Sequence, residues 1–85
     1  MVNNRHQKTL SAIFARPNRA DLRWPDVEVL VVALGGEVTE GEGSRVRLAL
    51  NGVRAVFHRP HPRPETDKGA ITSLRRFFEA AGVKP

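Results

Sequence analysis

The chain has 85 residues, no cysteine, and 14 Lys and Arg against 9 Asp and Glu. That length holds one small core, which excludes a Rossmann domain, a TIM barrel or a deep multi-domain cleft; the missing thiols exclude disulfides, thiolate zinc sites and cysteine nucleophiles. The formal charge of +5 is carried mostly by arginine, whose planar fork matches phosphate geometry, so nucleic acid leads the candidate partners. A small domain without disulfide staples suits a reducing, cytoplasmic setting. No apolar run approaches the roughly 20 residues that cross a bilayer, and Met1–Lys8 lacks the hydrophobic stretch of a signal peptide. No membrane partner is expected.

Leu10, Ile13 and Phe14 recur at helical spacing and predict a short helix over residues 7–15, stopped by Pro17. Residues 16–23 read as a polar connector. Trp24–Leu34 is a stronger helix, with Pro25 in the first turn and Asp26 and Glu28 at the positive end of the dipole. Val27, Leu30, Val31 and Leu34 share one of its faces, and Gly35 or Gly36 supplies the left-handed stop. Glu37–Glu40 reads as a short strand and residues 41–43 as a turn. Arg45–Leu50 alternates, with Val46, Leu48 and Leu50 on one side and Arg45 and Arg47 on the other. Asn51-Gly52 predicts a type I′ hairpin turn, and Val53–His58 is the returning strand. Residues 59–64 form a proline-broken loop holding His61. Thr66 or Asp67 caps a last helix over residues 68–81, which Gly82 ends; its apolar stripe is Ala70, Ile71, Leu74, Phe77, Phe78 and Ala81.

The order helix, helix, three strands, helix gives an α+β fold, a three-stranded antiparallel meander with helices on one face in two layers. Residues 1–23 read as an N-terminal extension with a short helix, and 24–85 as the main domain. The expected core is Trp24, Val27, Leu30, Val31, Leu34, Val46, Leu48, Leu50, Phe57, Ile71, Leu74 and Phe77 or Phe78. With Val46, Leu48, Val53 and Phe57 facing the helices, Arg45, Arg47, Arg54 and His58 share the open face of the sheet.

The charge is segregated. Residues 25–43 hold five acids and no base, while residues 44–64 hold five arginines and no acid. Three histidines are the near-neutral acid/base candidates. His6 reads as an exposed bystander in a frayed terminus. His58 ends a strand on the arginine face, next to Arg59, and is the best placed of the three. Internal transesterification of RNA needs a base for the 2′-hydroxyl, an acid for the leaving 5′-oxygen and cations for the charged phosphorane, and His with Arg supplies all of these. His61, between two prolines, is held with little conformational freedom and is a second acid/base candidate. His58 and His61 with Glu65 and Asp67 make a poor metal set, because the proline-rich turn lacks the spacing of helical zinc motifs. No metal or cofactor is expected. Ser11, Ser44 and Ser73 have no base near them in sequence.

Four pieces of sequence stand in a familiar order between Trp24 and Val83. They are a helix ending Leu34-Gly35-Gly36, the turn Gly43-Ser44 entering a strand, Pro60-His61-Pro62 after the third strand, and Lys68-Gly69-Ala70-Ile71 opening a helix that ends Ala81-Gly82-Val83. In this the chain resembles the HicA family of toxin–antitoxin systems, with the helix at 7–15 outside the pattern. The resemblance implies an α-β-β-β-α fold like that of double-stranded-RNA-binding domains, mRNA interferase (endoribonuclease) activity and neutralisation by a HicB-type antitoxin. The family carries a catalytic His one or two residues beyond the Gly-Ser turn; here those positions are Arg45 and Val46. Three alternatives stay open: the chemistry rests on His58 or His61, it uses Arg45 with a different base, or the protein is a non-catalytic double-stranded-RNA-binding module. His58 is the first choice, because a cross-strand neighbour reaches the same region. On this reading His58 and His61 are catalytic, and Arg45, Arg47, Arg54, Arg59, Arg63 and Lys68 contact the RNA.

Overall fold

Asn51 and Gly52 both adopt positive φ, 50° and 81°, as a two-residue type I′ turn requires. The computed structural model describes residues 3–19 and 21–85. Met1 and Val2, in the stretch that lacks a signal-peptide pattern, and Ala20, in the predicted connector, lie outside the described residues. In chain order the elements are α1 (Asn4–Phe14), α2 (Trp24–Ala33), β1 (Glu37–Glu40), β2 (Arg45–Leu50), β3 (Val53–His58) and α3 (Lys68–Ala80). The strands form one antiparallel sheet in the order β1-β2-β3. The fold is therefore α+β, with the helix–strand order α-β-β-β-α following α1.

Asn51 does more than turn the chain. Its Nδ2 donates to the Ala81 carbonyl at 2.8 Å, which ties the hairpin tip to the end of α3. Between α2 and β1, Gly35 takes the left-handed conformation, φ 89°. At Gly36 a Cβ would collide with the Ala49 carbonyl and with Val31, so the chain can pass this close to β2 only without a side chain. Leu34 is only partly buried, because α2 ends at Ala33 and Leu34 is its C-cap. At the start of α3, Asp67 is the cap and accepts from the Ala70 amide at 2.8 Å. Thr66 is instead buried, its hydroxyl without a hydrogen-bond partner among the described residues.

The N-terminal helix begins earlier than its apolar spacing suggests. The Asn3 side chain accepts from the His6 amide at 2.9 Å and starts the helix at Asn4. His6 then precedes Leu10 and Ile13 by four and seven residues, on the same face. It is 7% exposed, which corrects the expectation of an exposed bystander.

The helix is also built into the core. Leu10, Ala12, Ile13 and Leu22, none of them in the expected core, join its buried cluster, which takes in both Phe77 and Phe78 and leaves Leu34 at its margin. α1 packs against α2 and α3, whereas α2 lies on β1 and β2 and α3 on β3. Arg75 fastens this arrangement. Its buried guanidinium donates to the Ile13 and Ala15 carbonyls, both at 3.0 Å, and to the Asn18 amide oxygen. Asn18 in turn donates to the Lys68 carbonyl and the Thr72 hydroxyl. Between helices and sheet runs a row of tilted and edge-to-face rings, Trp24–Phe57–Phe77–Phe78, with centroids 5.6, 6.2 and 5.4 Å apart. No helix among the described residues is long and apolar enough to cross a membrane.

Candidate nucleic-acid interface

Strand parity builds the site. On β2, Val46, Leu48 and Leu50 are buried against the helices, and Arg45 and Arg47 are exposed. On β3, Phe57 is buried, and Arg54, Val56 and His58 are exposed. The register arranges the uncovered face in rows. Gly41, Arg45 and His58 form one; Thr39, Arg47 and Val56 the next; Glu37, Ala49 and Arg54 the third.

The Ser44 carbonyl accepts the Arg59 amide at 2.9 Å. In an antiparallel ladder the next pair, Arg45 with His58, is therefore the non-hydrogen-bonded kind, with Cα atoms about 4.5 Å apart and side chains closer. The same parity governs Arg47 with Val56 and Ala49 with Arg54. Two shallow hollows, about 410 Å³ and 250 Å³, lie on this face and share Arg47 and Val56. No side-chain hydrogen bond or ion pair engages Arg45, Arg47, Arg54 or His58 among the described residues. Their donors face solvent, where an anionic partner meets them without first breaking a protein contact.

Arg59 is placed differently. Its Nε and Nη2 donate to Glu28 at 2.7 and 3.1 Å, and its Nη1 donates to Glu40 at 2.6 Å. Trp24 Nε1 donates to the same Glu28 carboxylate. The two carboxylates hold the Arg59 guanidinium even further above its usual range, and hydrogen bonding from Arg59 pulls the Glu40 carboxyl below its own. This guanidinium anchors the end of β3 to α2 and β1. Sequence alone treats it as one more basic side chain; a carboxylate one helical turn beyond Trp24 was the only signal of its partner.

The remaining candidates lie off the sheet. His61 and Arg63 are exposed in the loop after β3, with a cis His61–Pro62 bond. Lys68 is exposed at the first turn of α3. The loop is stitched back to the start of α2, as the Trp24 amide donates to Pro64 O at 2.8 Å and the Thr66 amide to Leu22 O at 2.7 Å. No cluster of three or more His, Asp or Glu suited to a metal ion occurs among the described residues.

Of the two positions beyond the Gly-Ser turn, Val46 is fully buried against the helices and Arg45 looks outward. His58 stands directly across from the outward one.

No curated protein and no solved structure matches the chain. One family model does, described as the HicA toxin of bacterial toxin–antitoxin, over residues 24–83. That span takes in α2, all three strands and α3, and with them the whole arginine face. On that match the chain belongs to the HicA toxin family of bacterial toxin–antitoxin systems.

Proposed function

We propose that this toxin is an endoribonuclease that cleaves mRNA by acid/base chemistry without a metal ion and is neutralised by a HicB-type antitoxin. The observation that carries the reading is the Arg45–His58 pair on the uncovered face of the sheet. His58 takes the proton of a 2′-hydroxyl. The 2′-oxygen then attacks the adjacent phosphorus and the P–O5′ bond breaks, leaving a 2′,3′-cyclic phosphate and a 5′-hydroxyl. His61 is the candidate donor of the proton that the 5′-oxygen needs. Arg45 stabilises the charge that builds on the phosphoryl oxygens. Arg47, Arg54, Arg63 and Lys68 hold flanking phosphates. Arg59 falls outside that set, since Glu28 and Glu40 occupy its guanidinium, and it positions the strand end instead. The cytoplasm, where mRNA is found, is the expected compartment.

One observation favours a second reading, a non-catalytic double-stranded-RNA-binding module. Arg45 and Val46 fill the two positions where the family pattern places its catalytic His. Such a module reads A-form shape and 2′-hydroxyls. Incubating purified protein with RNA in EDTA separates the two. Cleaved RNA, with growth arrest on expression and relief by the neighbouring reading frame's product, supports the nuclease. Salt-dependent binding that leaves the RNA intact supports the module. Unchanged cleavage by a His58→Ala, His61→Ala double variant removes both rings from the mechanism.

A further inference from the structure

The outer edge of β3 is open in a chemically specific way. Because Arg59 pairs with Ser44 and the ladder alternates, residues 53, 55, 57 and 59 direct their backbone groups toward β2. Arg54, Val56 and His58 turn their N–H and C=O groups to the other side. No strand lies there, and no backbone hydrogen bond engages them among the described residues. The opposite edge offers less. The Gly41 amide donates to Arg45 O, which puts 37, 39 and 41 into the ladder and leaves only Val38 and Glu40, the latter held by Arg59.

The side chains of the same three residues project onto the uncovered face. They read cation, apolar, imidazole, with Val56 58% exposed and Arg45 and Arg47 beside them. A strand laid along β3 would gain a run of main-chain hydrogen bonds and meet basic, apolar and basic positions in turn. We propose that this edge docks an extended segment of the antitoxin that alternates carboxylates with an apolar side chain, adding a fourth strand to the sheet. The apolar side chain sits beside Val56, and the carboxylates sit beside Arg54 and beside His58 with Arg45. Main-chain bonds supply affinity in this mode, and the alternation supplies selectivity.

Charge argues for this occupant over a second copy of the chain. Antiparallel pairing of two β3 edges about Val56 would set Arg54 against the other copy's His58 and bring two arginine fields together, which is unfavourable across strands. RNA has no ladder of amides to match the edge. The existence of an antitoxin follows from the family; the added strand would silence a nuclease only if the proposed ribonuclease reading holds.

The test is an amide NMR titration of the full 85-residue protein with a capped synthetic peptide alternating Glu and Val, carried to millimolar concentration. A Lys/Val peptide and a short RNA are run in parallel. The expected result is shifts centred on Arg54, Val56 and His58, with amide exchange there slowed about tenfold near saturation, and no such protection from the Lys/Val peptide or the RNA. Val56→Pro removes an amide that no ladder bond uses and abolishes the response; if that variant does not fold, Val56→Glu, which sets a like charge against the peptide's carboxylates, serves in its place. No shift, an equal response to the Lys/Val peptide, protection at Val38 and Glu40 instead, or self-association through β3 overturns the proposal. RNA cleavage by the free protein is scored separately. Docking without cleavage sinks the ribonuclease reading alone, and cleavage without docking sinks this one alone.

Discussion

Arg45 and His58 are opposed residues of β2 and β3, and the ladder bond of the neighbouring Ser44–Arg59 pair leaves theirs the closer, non-hydrogen-bonded kind. A guanidinium and an imidazole are thereby held side by side by a hairpin whose register the Asn51-Gly52 turn fixes. Neither side chain is engaged by another protein group among the described residues. Arg45→Ala is therefore expected to leave the melting temperature nearly unchanged. In a filter-binding series over salt, it should weaken RNA binding and lower the slope of log K against log salt by about one unit.

Arg59 makes the opposite prediction. Glu28 is half-buried and accepts from both Arg59 and Trp24. Arg59→Met leaves that carboxylate with Trp24 alone, at an expected cost of about 1–3 kcal/mol in urea denaturation. Its effect on RNA binding should follow the loss of folded protein rather than add to it.

Glu40 sets an acid-side dependence. Its carboxyl is pulled below the usual glutamate range by the Arg59 hydrogen bond. A carboxyl that releases its proton more readily folded than unfolded stabilises the protein above the ordinary glutamate value, and that stabilisation disappears as pH falls through the lowered folded value. Wild type should exceed Glu40→Gln by a small margin near neutrality. Thermal melts over a pH series should show the margin closing in acid.

Arg75 joins the N-terminal helix to the rest of the molecule. Arg75→Met strips the Ile13 and Ala15 carbonyls and the Asn18 side chain of their shared donor. The expected destabilisation is about 3 kcal/mol by chemical denaturation, with early proteolysis in the segment between α1 and α2.

Asn51 separates two effects at one position. Asn51→Gly keeps the positive φ and loses the bond to Ala81 O, for about 1 kcal/mol. Asn51→Ala loses both, adding roughly 1–2 kcal/mol for a left-handed residue with a Cβ. Equal stabilities in calorimetry would mean that the turn conformation costs nothing here.

The sheet was legible because two independent signals agree there. Alternation in residues 45–50 and 53–58 sets which side chains face out, and Asn51-Gly52 sets the register between them. The Arg45, Arg47, Arg54, His58 face follows from those alone. The start of α1 was less legible, since Asn3 precedes the first apolar residue of the helix by seven positions and only its cap bond marks it. Arg75 carried a usable signal: Ile71, Leu74, Arg75 and Phe78 fall at helical spacing on one buried face. A charge count passes over it, because it does not ask which arginines have partners. Arg59 fails for the same reason, as its carboxylate lies 31 residues away on another element.

The His58 ring is proposed to perform chemistry on RNA beside Arg45. The most direct measurement is the single-turnover cleavage rate of a labelled mRNA fragment in EDTA, wild type against His58→Ala, with RNA affinity determined for both. Expected are cleavage by wild type, a loss of about 10²–10⁴-fold in the variant and similar affinity. A His58→Ala protein that cleaves at the wild-type rate, or a wild-type protein that binds RNA and never cuts it, contradicts that role for His58.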